Sequence, residues 1–231
     1  MKNESKLISF VNPFSFYEMK ENPELTNQFD GFFSDGGLLC KMHNLFNKEK
    51  IDRVSFDYSS VADDFLKFCE SEKLKFSIVG ATSDELSKAI NVFKEKYPNL
   101  VFGYCHDGYF KEDEFIKIIE SVEDSDVVIV AMGAPLQEIT AAKIHKKNNH
   151  KLVITCGGFI TQTSIKDDYY HPLIKKFGLR WLQRIVMHKH VRDKVLKKYP
   201  SFVIRYTFEG IKSKLSTGKP ELPPKDLTPQ P

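Results

Sequence analysis

The sequence predicts an α/β fold: a parallel sheet with flanking helices and a small basic helical appendage at the carboxy end. Three observations predict it. Between Leu74 and Cys156, apolar strand-like runs alternate with helical patterns of about 10–15 residues, the mark of β-α-β units with right-handed crossovers. The run Val127–Met132 reads as a strand buried on both faces, and it passes through Gly133, Ala134 and Pro135 straight into a helical pattern. Charge is also uneven: residues 166–219 hold 14 Lys and Arg against 4 Asp and Glu, a surplus of +10, so with a net charge of +3 the rest of the chain carries −7. A surplus of this kind suits an anionic partner such as a membrane surface, a phosphorylated lipid or a nucleic acid.

The elements follow in order. Leu7–Val11 is the first strand, ended by Asn12-Pro13. The Gly-rich, acidic stretch Asp30–Gly37 reads as a loop. Val61, Phe65 and Cys69 form a helical stripe. Leu74–Val79 is a strand, followed by a helix bearing Leu86, Ala89, Ile90 and Phe93, with Thr82 and Glu85 spaced as a capping box. Leu100–Cys105 is the next strand, and Phe115, Ile118, Ile119 and Val122 mark the helix after it. Val127–Met132, its helix with Ile139, Ala142 and Ile144, and the strand Leu152–Cys156 complete a Rossmann-like run. From Pro172 to Tyr199, short basic amphipathic helices are expected, with Leu182, Ile185 and Val186 inward. The tail holds five prolines and reads as disordered. The chain thus divides into an α/β core at 1–165, a basic appendage at 166–216 and a tail at 217–231.

Cys40, Cys69, Cys105 and Cys156 are scattered without a C-x-x-C pair, so they are expected to be reduced core residues, as in a cytoplasmic protein. The amino terminus lacks the apolar stretch of a signal peptide, and no run approaches the ~18 apolar residues of a membrane span. A soluble or peripheral protein is expected.

In an open parallel sheet, ligands bind just beyond the carboxyl ends of the strands, which makes the Gly133 junction a site address. Gly133 admits a ligand close to the backbone, Pro135 suits a first helical turn, and Gln137 and Glu138 stand at a positive helix end where they can read a polar group. Asp35, flanked by Ser34 and Gly36-Gly37, is the leading carboxylate for general-base work; the other reading is a turn aspartate bonding its own loop. Asp124-Ser-Asp126 has the form of a D-x-D metal site, but it precedes the strand, at the edge away from the ligand crevice. His188-Lys-His190 has no third ligand nearby, and neither G-x-G-x-x-G nor G-x-x-x-x-G-K-[ST] occurs. No metal site is expected.

Several segments belong together: Asn12-Pro13, Asp35-Gly36, Arg53-Val-Ser55, Val79-Gly80-Ala-Thr82, Tyr97-Pro98 with Gly108-Tyr-Phe110, Gly133-Ala-Pro135 with Gln137-Glu138, Gly157-Gly-Phe159, and Gly178-Leu179 with Trp181-Leu182 and Arg184. In this order they resemble the WecG/TagA/CpsF family of bacterial glycosyltransferases over roughly residues 10 to 205. The resemblance implies inverting, metal-independent transfer, without a cofactor, of an N-acetylmannosamine-type or related hexose from a UDP-sugar. The implied acceptor is a polyprenyl-diphosphate-linked saccharide at the cytoplasmic face of the membrane, in cell-surface polysaccharide synthesis. It also implies that Asp35 is the base, that Asn12, Arg53, Gly80, Gly133, Pro135, Gln137 and Glu138 line the site, and that a basic segment with Arg184, Arg192 and Arg205 docks on the membrane and closes over it.

The sequence departs from the family pattern at Phe10 (commonly threonine), at Phe56-Asp57 after Arg53-Val-Ser55, at Arg180 (commonly glutamate), and at Lys166–Pro172, which lacks Arg-Ala-Pro. These departures leave donor and acceptor open. Two other readings stand beside this one. The first is a non-catalytic family member acting as a binding or regulatory partner. The second is a basic nucleic-acid binder stacking on Trp181, Tyr199, Phe202 and Tyr206; no RNA-binding signature is present, so no nucleic-acid partner is expected. A homo-oligomer is left open.

Overall fold

The computed structural model of the chain describes residues 5–147, 152–165 and 189–215. Among them, β1 (Lys6–Val11), β2 (Gly31–Ser34), β3 (Lys75–Gly80), β4 (Val101–His106), β5 (Val127–Ala131) and β6 (Leu152–Thr155) form one parallel sheet in the order β2-β1-β6-β5-β3-β4. The helices are α1 (Phe16–Lys20), α2 (Pro23–Thr26), α3 (Gly37–Phe46), α4 (Ala62–Ser71), α5 (Ser83–Lys96), α6 (Glu112–Ser121), α7 (Leu136–Lys147), α8 (Phe159–Ile165) and α9 (Lys189–Leu215). The α/β, Rossmann-like architecture is as the alternation of periods predicts.

Strand alternation builds two cores. On β5, Val128 and Val130 point to the layer supplied by α6, α7, α9 and the short amino-terminal helices, through Phe16, Leu39, Phe115, Ile118, Ile144 and Phe202. Val127, Ile129 and Ala131 point to the layer of α4, α5 and α8, through Leu66, Leu86, Phe93, Phe159 and Ile160. Every residue of β5 is buried, which is why that strand reads as an unbroken apolar run. The Thr82–Glu85 capping box forms as its spacing predicts: Thr82 Oγ1 accepts from Glu85 N–H at 3.3 Å, and Glu85 Oε2 accepts from Thr82 N–H at 2.9 Å.

Two expectations are corrected. The stretch Asp30–Gly37 is not all loop, because Gly31–Ser34 pairs with β1 as the edge strand, from Ile8↔Gly31 to Val11↔Ser34. Phe32 and Phe33 supply strand propensity there, and the flanking Gly and Asp residues conceal so short a strand. Of the short helices expected at Pro172–Tyr199, residues 172–188 lie outside the described residues. From Lys189 onward a single helix runs past Tyr199 to Leu215 with Pro200 inside it. The helix packs Phe202 and Tyr206 against Phe16 of α1, and that tertiary packing explains why it persists beyond the proline. All four cysteines are free; three are buried and Cys105 is partly so.

Candidate active site

Because all six strands are parallel, their carboxyl ends share one edge, and the loops there bring together residues remote in sequence. Moving across the sheet, that rim carries Asp35 after β2, Asn12 after β1, Gly157 after β6, Gly133 after β5 and Gly80 at the end of β3. From β2 to β5 is three strand spacings, about 14 Å, room for an extended nucleotide sugar. The chain leaves β3 toward β4 on one side and leaves β5 toward β6 on the other, so the rim parts between these neighbours.

At the β1–β2 end the geometry is charged. Asp35 N–H donates to Val11 C=O at 2.7 Å, continuing the strand pairing by one residue. A Cβ on Gly36 would lie 2.8 Å from Pro13 Cδ, so the Asp35-Gly36 and Asn12-Pro13 loops are in direct contact. Asn12 shapes its own turn: its Oδ1 accepts from Phe14 N–H at 2.9 Å and its C=O from Phe16 N–H at 2.9 Å. Val54 N–H donates to Ser34 C=O at 3.1 Å, laying the segment 51–55 beside β2. Arg53 Nη2 then donates to Asp35 Oδ1 at 2.9 Å and to Asp57 Oδ2 at 3.0 Å. The Asp35 carboxylate is therefore tied to a residue 18 positions away rather than to its own loop, and its side chain stays 21% exposed.

Sequence reasoning missed Asp57 as a site residue. Burial works against its charge, but Ser59, Arg53 and Ser55 together hold its carboxyl below the usual carboxylate range. The signal was present in Ser55-Phe-Asp57-Tyr-Ser59, where hydroxyls flank an aspartate at positions from which they can bond it.

At the β5–β6 end the geometry is set by glycines and by buried polar side chains. Among the described residues, a Cβ at Gly133 or at Gly157 would meet nothing within 4 Å. Gly157 also has φ +55°, a conformation that favours glycine. Pro135 follows a cis peptide and directly precedes α7. Gln137 and Glu138 do not stand open at the helix end as expected: they are 4% and 0% exposed. The Glu138 Oε1 accepts from Ser9 O–H at 2.9 Å and from Gln137 Nε2 at 2.7 Å, while Gln137 Oε1 accepts from Gly157 N–H at 3.1 Å. Ser9 Oγ also lies 2.7 Å from Thr155 Oγ1. Ser9 and Thr155, polar residues in strand interiors, could have signalled this inward network. Burial pushes the Glu138 carboxyl upward against these hydrogen bonds, and its Oε2 has no hydrogen-bond partner among the described residues. Gly80 serves packing instead: with φ +145°, an added Cβ would sit 2.2 Å from Ala131 O.

Arg184 lies outside the described residues, and Arg192 is exposed on α9. Arg205 pairs with Glu21 and Glu209, tying α9 to the segment after α1. Asp126 Oδ2 accepts from Lys75 N–H at 2.9 Å at the amino edge of the sheet, where it organises the start of β3. No group of three or more His, Cys, Asp and Glu placed to hold a metal ion occurs among the described residues.

A partly exposed carboxylate on the rim, paired with an arginine, on the same sheet edge as two glycines without close neighbours among the described residues, is an arrangement suited to proton removal beside an anionic leaving group. The family model of the WecG/TagA/CpsF glycosyl transferases matches residues 1–216. The chain belongs to the WecG/TagA/CpsF family, and it is a glycosyltransferase. A UDP-Gal:α-D-GlcNAc-diphosphoundecaprenol β-1,4-galactosyltransferase from Shigella boydii is 40% identical over 212 residues, 91% of this chain and 89% of that protein. N-acetylglucosaminyldiphosphoundecaprenol N-acetyl-β-D-mannosaminyltransferases from Staphylococcus aureus strains MW2 and NCTC 8325 / PS 47 are each 24% identical over 196 residues, covering 85% of this chain and 75% of theirs. These relatives are all named as enzymes acting on lipid-diphosphate-linked N-acetylglucosamine.

Proposed function

We propose that the protein transfers galactose from UDP-galactose to N-acetylglucosamine carried on a polyprenyl diphosphate, forming a β-glycoside for a cell-surface polysaccharide. The observation that carries this reading is the 40% identity, over nearly the whole of both chains, with the relative of that name, against 24% for the mannosaminyltransferases. An N-acetylmannosamine-type donor, the resemblance's first implication, becomes the second choice.

The reaction is a single displacement with inversion. Asp35 takes the proton from the acceptor hydroxyl as its oxygen attacks the anomeric carbon, and the bond from that carbon to the UDP oxygen breaks. Arg53 and the amino end of α7 meet the charge on the departing diphosphate, and the rim beside Gly133 and Gly157 takes the nucleotide. Transfer proceeds without a metal ion.

On this reading a lipid-linked acceptor brings the protein to a membrane surface, and a UDP-sugar donor to its cytoplasmic face. No helix among the described residues is long and apolar enough to cross a membrane. Instead, α9 exposes Ile204, Phe208, Ile211 and Leu215 at helical spacing, with Lys212 and Lys214 among them. A basic helix with an apolar stripe suits a contact lying in the membrane interface.

The test is transfer to a synthetic N-acetylglucosaminyl-diphospholipid, with each UDP-sugar in turn and with EDTA present, supported by thermal shifts. A saturating donor at 100 times its Kd adds about 2.7 kcal/mol of apparent stability. UDP-galactose should stabilise the protein and yield a β-linked disaccharide lipid, undiminished by EDTA. Transfer from UDP-N-acetylmannosamine alone would overturn the donor, and strict dependence on a divalent cation would overturn the mechanism.

A further inference from the structure

Arg53 stands on a segment with neither helix nor strand, so its backbone does little to fix a long side chain with several rotatable bonds. Both of its side-chain contacts run through one nitrogen, Nη2, to Asp35 Oδ1 and Asp57 Oδ2. The two carboxylates differ in their surroundings. Asp57 is 5% exposed, and a carboxylate offers about four acceptor positions. Four donors use them: Ser55 Oγ, Ser59 N–H, Ser59 Oγ and Arg53. Asp57 is thus held in place and buried, whereas Asp35 stands on the open rim and is partly exposed.

We infer that Asp57 is a positioning residue, which anchors the Arg53 guanidinium and shares its charge so that Asp35 remains a working base. The inference rests on the reading of Asp35 as the base. With Asp57 present, one guanidinium serves two carboxylates, and the N–H groups on Nη1 and Nε, which make no hydrogen bond among the described residues, are left for a diphosphate. Without it, the full charge of Arg53 falls on Asp35 as a simple ion pair, and a carboxylate so paired takes up a proton less readily. Among the described residues, Arg53 bonds Asp35 and links it to Asp57, and the Cys40 thiol of α3 lies within the influence of Asp35, Arg53 and Asp52. Burial pushes that thiol up to about 11, which keeps it neutral through the working range.

The experiment measures kcat/KM against pH in the full-length protein, with lipid-linked acceptor and the UDP-sugar it turns over. Asp57→Asn should lower the plateau by up to about 10²-fold, the scale of a misplaced catalytic geometry, and move the acid limb to lower pH. A residue needed only for folding would lower the plateau and leave the limb in place. In an Arg53→Ala background, Asp57→Asn should cost nothing further, because its effect passes through Arg53. An unmoved limb, or an equal further loss in the Arg53→Ala background, overturns the inference. If Asp57→Asn alone does not fold, the comparison of Arg53→Ala with the double variant decides. Asp35→Asn run alongside separates the two failures. If it is active, the base assignment itself falls; if it is inactive while the Asp57→Asn limb is unmoved, only the role of Asp57 falls.

Discussion

The two ends of the carboxyl rim solve different problems with different residues. Beyond β1 and β2 the rim is charged and partly open, with Asp35, Arg53 and Asp57 in one ion-paired chain. Beyond β5 and β6 its ionisable group is buried, with glycines that meet nothing close by among the described residues and polar side chains turned inward to fix the loops. The charged end has the groups that can move a proton and meet a phosphate. The β5–β6 end has a fixed backbone, suited to holding a nucleotide in place. The pattern is a division of labour between chemistry and placement, spread over about 14 Å of sheet edge.

If that division is right, the greatest loss of rate comes from the charged end. Asp35→Asn keeps the shape of the side chain and removes its basicity, so turnover should fall about 10²–10⁴-fold while UDP affinity is retained. Steady-state transfer and UDP titration of the same preparation check both halves. Near-normal turnover would mean that the proton is taken elsewhere.

The glycines sharpen the comparison further, because they divide into packing and ligand-facing kinds. Gly80→Ala places a Cβ 2.2 Å from Ala131 O at a φ that side chains rarely adopt. The unfavourable backbone alone costs about 1–3 kcal/mol, and the overlap adds to it. A lowered melting temperature and reduced soluble yield are expected. Gly133→Ala meets nothing within 4 Å among the described residues, so stability should change by less than about 0.5 kcal/mol while UDP binding weakens. Equal melting temperatures for the two variants would erase the distinction.

Much of this organisation was legible in the sequence, and the illegible parts have physical causes. The β5 run and its Gly133 exit could be read because burial on both faces leaves an unbroken apolar signature. The glycines beside Asp35 mark a loop, and the structure adds the Arg53 pairing that no local pattern shows. The strand β2 was hidden because four residues are too few to show a period, and its pairing with β1 is a tertiary fact. Asp57 was hidden because its importance lies in Arg53, and only the folded chain shows that one guanidinium bridges two aspartates. Gln137 and Glu138 stand at the helix end where the sequence puts them, but they are buried in hydrogen bonds with Ser9 and Gly157. Polar Ser9 and Thr155 inside strands hint at an inward network, but only the folded chain shows that Ser9 meets Glu138 and Thr155 there.

The smallest effect belongs to the β5–β6 end. Glu138 is the one carboxylate in its inward network, and burial raises its pKa above the ordinary 4.5. The neutral form is thus favoured in the folded state, so the stability tied to this group is fully present below about pH 4.5, its ordinary value, and is lost as pH rises through the higher folded value. Glu138→Gln removes the titration while its amide oxygen can still accept from Ser9 and Gln137. The variant should melt at the same temperature as the parent in acid and at an equal or higher temperature near neutrality, with transfer changed only a few-fold. Melting curves from pH 4 to pH 8 on both proteins check this. A variant less stable than the parent at pH 8 would mean that the folded protein holds Glu138 as an anion, and the rim would then carry charge at both ends.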